Sequence, residues 1–97
     1  MSHPDELEAR QWVETEITRL RAASYAELLG RRNKPSHTAF KSSTARSLVG
    51  EVNVTWDGAQ NEALRVLVDV YESGRGIVST IASDDFIRAS DDSFVGE

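Results

Sequence analysis

Two runs decide the fold: Leu48-Val49-Gly50-Glu51-Val52-Asn53-Val54-Thr55-Trp56 and Leu64-Arg65-Val66-Leu67-Val68-Asp69-Val70-Tyr71. In the first, Leu48, Gly50, Val52, Val54 and Trp56 share one side, and Val49, Glu51, Asn53, Thr55 and Asp57 the other. In the second, Leu64, Val66, Val68 and Val70 oppose Arg65, Leu67, Asp69 and Tyr71. Alternation at period two, rich in valine, marks half-buried strands. The link Asp57-Gly58-Ala59-Gln60-Asn61-Glu62 has turn chemistry, so the two strands form a hairpin. Both even-numbered sets must face one core, because a slip of one residue exposes an apolar set. Three registers satisfy this. Trp56 opposite Leu64 puts Glu51 opposite Asp69, an unfavourable like-charge pair. Trp56 opposite Glu62 leaves the indole without an apolar partner. Trp56 opposite Val66 puts Asp57 beside Arg65 and Glu51 beside Tyr71, and charge favours it.

Upstream, residues of about 3–29 read as one long helix. Ser2 is a capping residue with Asp5 three positions on, Pro4 fits the first turn, and Asp5, Glu6 and Glu8 suit the positive helix end. Its apolar stripe runs through Ala9, Val13, Ile17, Leu20 and Leu28, interrupted at Ser24, with Trp12 and Tyr25 on its flanks. Gly30 reads as the residue that ends it, followed by Arg31, Arg32 and Pro35. The polar segment 31–47 follows, with an edge strand expected near Thr38–Ser43, where Lys41 suits an edge. Beyond the hairpin, Glu72-Ser73-Gly74-Arg75-Gly76 reads as a turn and Ile77–Ala82 as a strand. Asp84–Ala89 is compatible with either a short helix or a strand, and Phe94-Val95 is a last apolar anchor.

A helix followed by three to five short strands, with no crossover helix between them, implies an α+β domain in which the helix lies across an antiparallel meander. The expected sheet spans about 48–95 within one domain, 1–97. In architecture this resembles the cystatin-like layout. Ser47-Leu48-Val49-Gly50 departs from the Gln-x-Val-x-Gly loop of cystatins and falls inside a strand, so no inhibitory function is carried over.

Composition narrows the chemistry. The 97 residues include no cysteine, which excludes disulfides, thiolate catalysis and Cys-based zinc sites. No apolar run approaches the roughly 20 residues of a membrane span, and the polar start Ser2-His3-Pro4-Asp5-Glu6 is unlike a signal peptide, so a cytoplasmic location is expected. The net charge of −5 argues against general nucleic-acid binding. The charge is nevertheless polarised. No acidic residue occurs from Leu28 to Gly50, whereas five acids lie between Asp84 and Glu97 against Arg88 alone.

His3 and His37 are the only histidines, and no His pair has metal-ligand spacing. Gly74-Arg75-Gly76 precedes a strand rather than a helix and is no dinucleotide fingerprint. Two surfaces remain. Arg31, Arg32, Lys34, Lys41 and Arg46 form a basic segment able to bind an anion, a nucleic acid or an acidic partner. Val49, Leu67 and Tyr71, with Glu51 and Asp69, form the odd face of the hairpin, which the helix leaves uncovered. The reading is a small non-catalytic module, a homodimer acting through protein–protein contact or small-ligand binding, with no cofactor. Its alternatives are anion or nucleic-acid binding through 31–46 and, last, a small enzyme using the hairpin carboxylates.

Overall fold

The alternating runs and the amphipathic stripe find each other as the pattern requires. A computed structural model describes residues 4–58, 63–72 and 80–96. Helix α1 spans Pro4–Arg21 and a short helix α2 spans Tyr25–Leu29. Four strands follow: β1 Ser36–Lys41, β2 Ser47–Trp56, β3 Leu64–Glu72 and β4 Thr80–Arg88. They form one antiparallel meander in the order β1-β2-β3-β4. α1 packs across one face of this sheet, giving the expected α+β architecture.

The core joins the two apolar sets. Ala9, Val13 and Leu20 of α1 and Leu28 of α2 are buried against Leu48, Val52 and Val54 of β2, Leu64, Val66, Val68 and Val70 of β3, and Phe86 of β4. Trp12 reaches over Gly50, where a β-carbon would stand 2.3 Å from the indole. The same indole stacks on Phe40 of β1, with ring centroids 5.9 Å apart. The C-terminal segment closes the other side. Phe94 meets Phe86 edge-on at 5.8 Å, while Val95 remains exposed.

The single long helix is corrected to two. The interruption in the stripe, Ser24, is where it breaks. At φ −74° and ψ 162° Ser24 leaves the helical region and caps α2, its hydroxyl accepting the Glu27 N–H at 3.2 Å. A serine hydroxyl in the apolar stripe would lack a partner; as an N-cap it gains one. Gly30 ends α2 in a right-handed conformation, and the left-handed residue after it is Asn33. Ser2 and its capping role lie outside the described residues.

The hairpin register is also corrected. Trp56 lies opposite Leu64, Val49 opposite Tyr71, and Glu51 opposite Asp69. The register favoured on charge would set Leu64 against Gly58 and take it out of the apolar row. Like charges facing each other cost about 0.2–1 kcal/mol, whereas exposing a leucine costs about 1.5–3 kcal/mol, so burial decides. The Asp57–Arg65 attraction survives as a diagonal contact, Nη2 to Oδ1 at 2.9 Å.

The edge strand begins and ends two residues earlier than expected, at Ser36 and Lys41. The stretch 84–89 is strand through Arg88, not helix. Of the strand expected at Ile77–Ala82, residues 77–79 lie outside the described residues, as do the turn residues 73–76 and the loop residues 59–62; β4 is described from Thr80.

Candidate functional site

The meander has two faces, and α1 covers one. The other is built by residues of odd number in β1, β2 and β3, joined by Ser83, Asp85 and Ile87 of β4. Its residues in β2 and β3 are half-buried, in contrast to the buried even row under α1. Strand pairing fixes how its side chains line up, because residues directly opposite share a face about 4.5–5.5 Å apart.

One row crosses all four strands: His37, Glu51, Asp69 and Ser83. The next holds Ala39, Val49 and Tyr71, and on the other side lie Asn53, Leu67 and Asp85. Thr55, Arg65 and Ile87 follow. A band of carboxylates therefore runs between Val49 and Tyr71 on one flank and Leu67 and Ile87 on the other.

The carboxylates in that band are unequally compensated. Glu51 receives His37 Nε2 at 2.7 Å. Asp85 is paired with Arg65, which also holds Asp57. Asp69 has no hydrogen bond or ion pair to any described residue, and its carboxyl is pushed above the usual range by partial burial, then by Glu51 and then by Asp85. The sheet thus holds a half-buried carboxylate beside two others without a cation of its own. Among the described residues, no group of three His, Asp or Glu side chains comes close enough to hold a metal ion.

The interface candidates Val49, Glu51, Leu67, Asp69 and Tyr71 are brought together on this face, all half-buried. The sequence reading missed Asp85 and Ile87. Their contribution was hidden because the stretch 84–89 carries both helix and strand signals, and only its assignment as strand places these residues.

The basic candidates are dispersed instead. Arg46 is tied to Asp5 at 2.9 Å and to Glu72. Arg32 lies over the Trp56 ring, 5.0 Å from its centroid, where the segment touches Val54. Arg31 is half-buried behind α2. Lys34 and Lys41 are exposed, one before β1 and the other at its end. The five cations do not converge on one anion.

Asp5 has a role that the sequence did not reveal. It reads as a helix N-terminal acid, yet it is fully buried, accepting the Thr44 hydroxyl at 2.7 and 2.8 Å and the Arg46 guanidinium. With Glu8, which accepts the Ser43 N–H at 2.9 Å, it straps the β1–β2 connection to the start of α1. Such a contact across nearly 40 positions of sequence leaves no local signature.

Comparison of the chain with family models, with curated proteins and with solved structures gives no match.

Proposed function

We propose that the protein is a small binding module acting through protein–protein contact, and that it forms a homodimer across the open face of its sheet. The reading rests on Asp69, a half-buried carboxylate without a counter-ion among the described residues. Arg65 stands four residues before it on the same face, with Leu67 between them.

Two sheets packing face to face lie about 10 Å apart with strands roughly aligned. A two-fold axis in that interface, across the strands at Leu67, sets Leu67 against its own copy. It also sets each Arg65 against Asp69 of the partner subunit, so one patch serves both sides. Arg65, which in its own chain holds Asp57 and Asp85, is then shared with Asp69 of the partner subunit, and Val49, Tyr71 and Ile87 leave water with it. Leu67 is the apolar centre of such a contact, Asn53 and Asp85 of the same row meet their own copies at its sides, and the Arg65–Asp69 pairs flank it.

Sedimentation equilibrium across concentrations up to about 100 μM tests this, since a contact of standard size with good complementarity is expected to form there. A dimer that dissociates in Leu67→Arg and in Asp69→Arg is the expected result. A strict monomer throughout, or a dimer indifferent to both substitutions, refutes the proposal.

A further inference from the structure

A different feature points to a second partner. A meander has two edges, and here they are unequal. The outer edge of β4 is partly occupied: Val95 N–H donates to the Ile87 carbonyl at 3.0 Å, and Ala89 N–H to the Ser93 carbonyl at 2.9 Å. Its remaining stretch carries Asp84 and Asp85. The outer edge of β1 has no such cover. Its register with β2 is regular from Ser36 to Lys41, without a bulge. Ser36, His37, Thr38 and Ala39 are exposed, and α1 packs over β2, β3 and β4. Edges are protected by brevity, by Lys or Pro on the edge, by a bulge, by an inward-pointing charge or by a covering segment. Among the described residues, β1 has no bulge and no covering segment, and its Lys and Pro stand at its two ends, Lys34-Pro35 before it and Lys41 at its last position, leaving Ser36–Phe40 between them.

The segment that forms this edge carries charge of one sign, with Glu51 against His37 on the neighbouring strand and Glu8 against Ser43 past the end of β1. The acid-free segment, Leu28 to Gly50, contains the whole of β1. Lys34 and Lys41 stand at its two ends, exposed and without an ion pair among the described residues. On the open-face side β1 presents His37, Ala39 and Lys41; on the helix side, Ser36, Thr38 and Phe40, the last stacked on Trp12. A strand added here gains main-chain hydrogen bonds along its length. Its side chains on the open-face side, beside Lys41, are best acidic, and Lys34 stands exposed at the other end of the edge. Those on the opposite side meet the Trp12–Phe40 stack and are best apolar.

We propose that the free edge of β1 is a strand-addition site for an extended acidic segment of another protein, with carboxylates alternating with apolar residues. A second copy of this chain fits less well. Two-fold pairing of β1 must match residues of equal parity so that both helices lie on one side. It then lays two acid-free basic segments along each other, with nothing to neutralise Lys34 and Lys41 of either copy. The site is separate from the open-face contact and is accessible in the dimer proposed above.

The test uses a fluorescent peptide of about ten residues alternating Val and Glu, a length that spans one strand addition, titrated with the full chain by anisotropy. Amide NMR of the protein follows the same titration. Binding that perturbs the amides of Ser36–Lys41 is expected. So is a loss of at least about tenfold in Lys34→Glu/Lys41→Glu, with preference switched toward a Val/Lys peptide. Both lysines are exposed, and an unchanged melting temperature certifies that this variant folds. No binding, equal binding of the Val/Glu and Val/Lys peptides, or binding without change in the β1 amides overturns the proposal. Concentration-dependent shifts of those amides without peptide assign the edge to a second copy and also overturn it. In Leu67→Arg, peptide binding persists if the edge is the site, whatever becomes of the dimer; its loss there moves the peptide to the open face and refutes the assignment.

Discussion

Gly50→Ala adds one methyl group at the place where helix and sheet come closest. The new β-carbon would stand 2.3 Å from one indole carbon of Trp12 and 2.5 Å from two more. Ordinary carbon–carbon contact lies near 3.5–4.0 Å, so the ring must retreat by about 1 Å or more. Retreat is hindered, because Phe40 stacks on the indole with a centroid separation of 5.9 Å. Overpacking of this kind costs about 1–3 kcal/mol. The alternative, swinging the indole into solvent, exposes about 100 Å² of aromatic surface, half of a buried tryptophan, and costs about 2.5 kcal/mol. Replacing glycine returns about 0.5–1 kcal/mol through the unfolded chain. Central values leave a net loss of about 1 kcal/mol, which for a domain of this size lowers the melting temperature by about 4–8 °C. Thermal unfolding followed by circular dichroism measures it. In a Trp12→Ala background the same methyl has no ring to meet, so Gly50→Ala is expected to be neutral or stabilising, and the double-mutant cycle reports the difference. A melting temperature unchanged in the single variant, or an equal loss in both backgrounds, would refute the seating of Trp12 on Gly50.

Asp5→Ala leaves the Thr44 hydroxyl and the Arg46 guanidinium without their buried acceptor. It is expected to cost about 1.5–3 kcal/mol, read as a shift of the urea midpoint at constant slope, and to speed hydrogen exchange in 42–46. A loss below about 0.5 kcal/mol, the range of an ordinary surface change, removes the strap. For Asp69 the sign follows from its raised folded-state pKa: the native state binds the proton more tightly than the unfolded chain does. The penalty is therefore absent below the unfolded pKa and grows as pH rises through the folded value. Asp69→Asn at monomer concentrations is expected to raise the melting temperature at pH 7 and leave it unchanged near pH 3, the gain limited to about 1 kcal/mol by solvent screening. A lowered melting temperature at pH 7 contradicts the isolation of this carboxylate.

Period-two and helical spacing report which residues enter a core, because burial is the largest free-energy term. That is why Ala9, Val13, Leu20 and Leu28 and every even residue from Leu64 to Val70 are buried as their pattern requires. Local propensity is a weaker reporter. The stripe through Ser24 suggested continuity, yet one cap sufficed to break the helix there. In β4, Asp84 and Asp85 favour turns when read alone, and pairing with Val68 and Leu67 overrides them. The open face was legible in part for the same reason. β2 and β3 announce their odd residues by alternation, and β4 does not. Asp5 was illegible, since its partners Thr44 and Arg46 lie some 40 positions away and its acid has a sufficient local explanation at the helix start.

If the proposed dimer forms, the strand register turns a tension accepted for folding into a surface for binding. A shift of two residues would part Glu51 from Asp69 and keep every hairpin side chain on its own face. The chain forgoes it because Leu64 would lose its place in the core, a difference of about 1–2 kcal/mol against the like-charge cost. His37 relieves Glu51 from the edge strand, and Arg65 relieves Asp85 from the next row. His37 meets Glu51 alone, Arg65 is divided between Asp85 and Asp57, and Asp69, on the strand between Glu51 and Asp85, is reached by neither. The burial that fixes the core thereby fixes an uncompensated charge on the opposite face. A partner supplying one guanidinium among apolar side chains lowers its energy without disturbing the core. An Asp69→Asn chain separates the two effects: it is expected to be the more stable monomer and the weaker dimer. A variant that gains or loses both together would break the link drawn here between register and recognition.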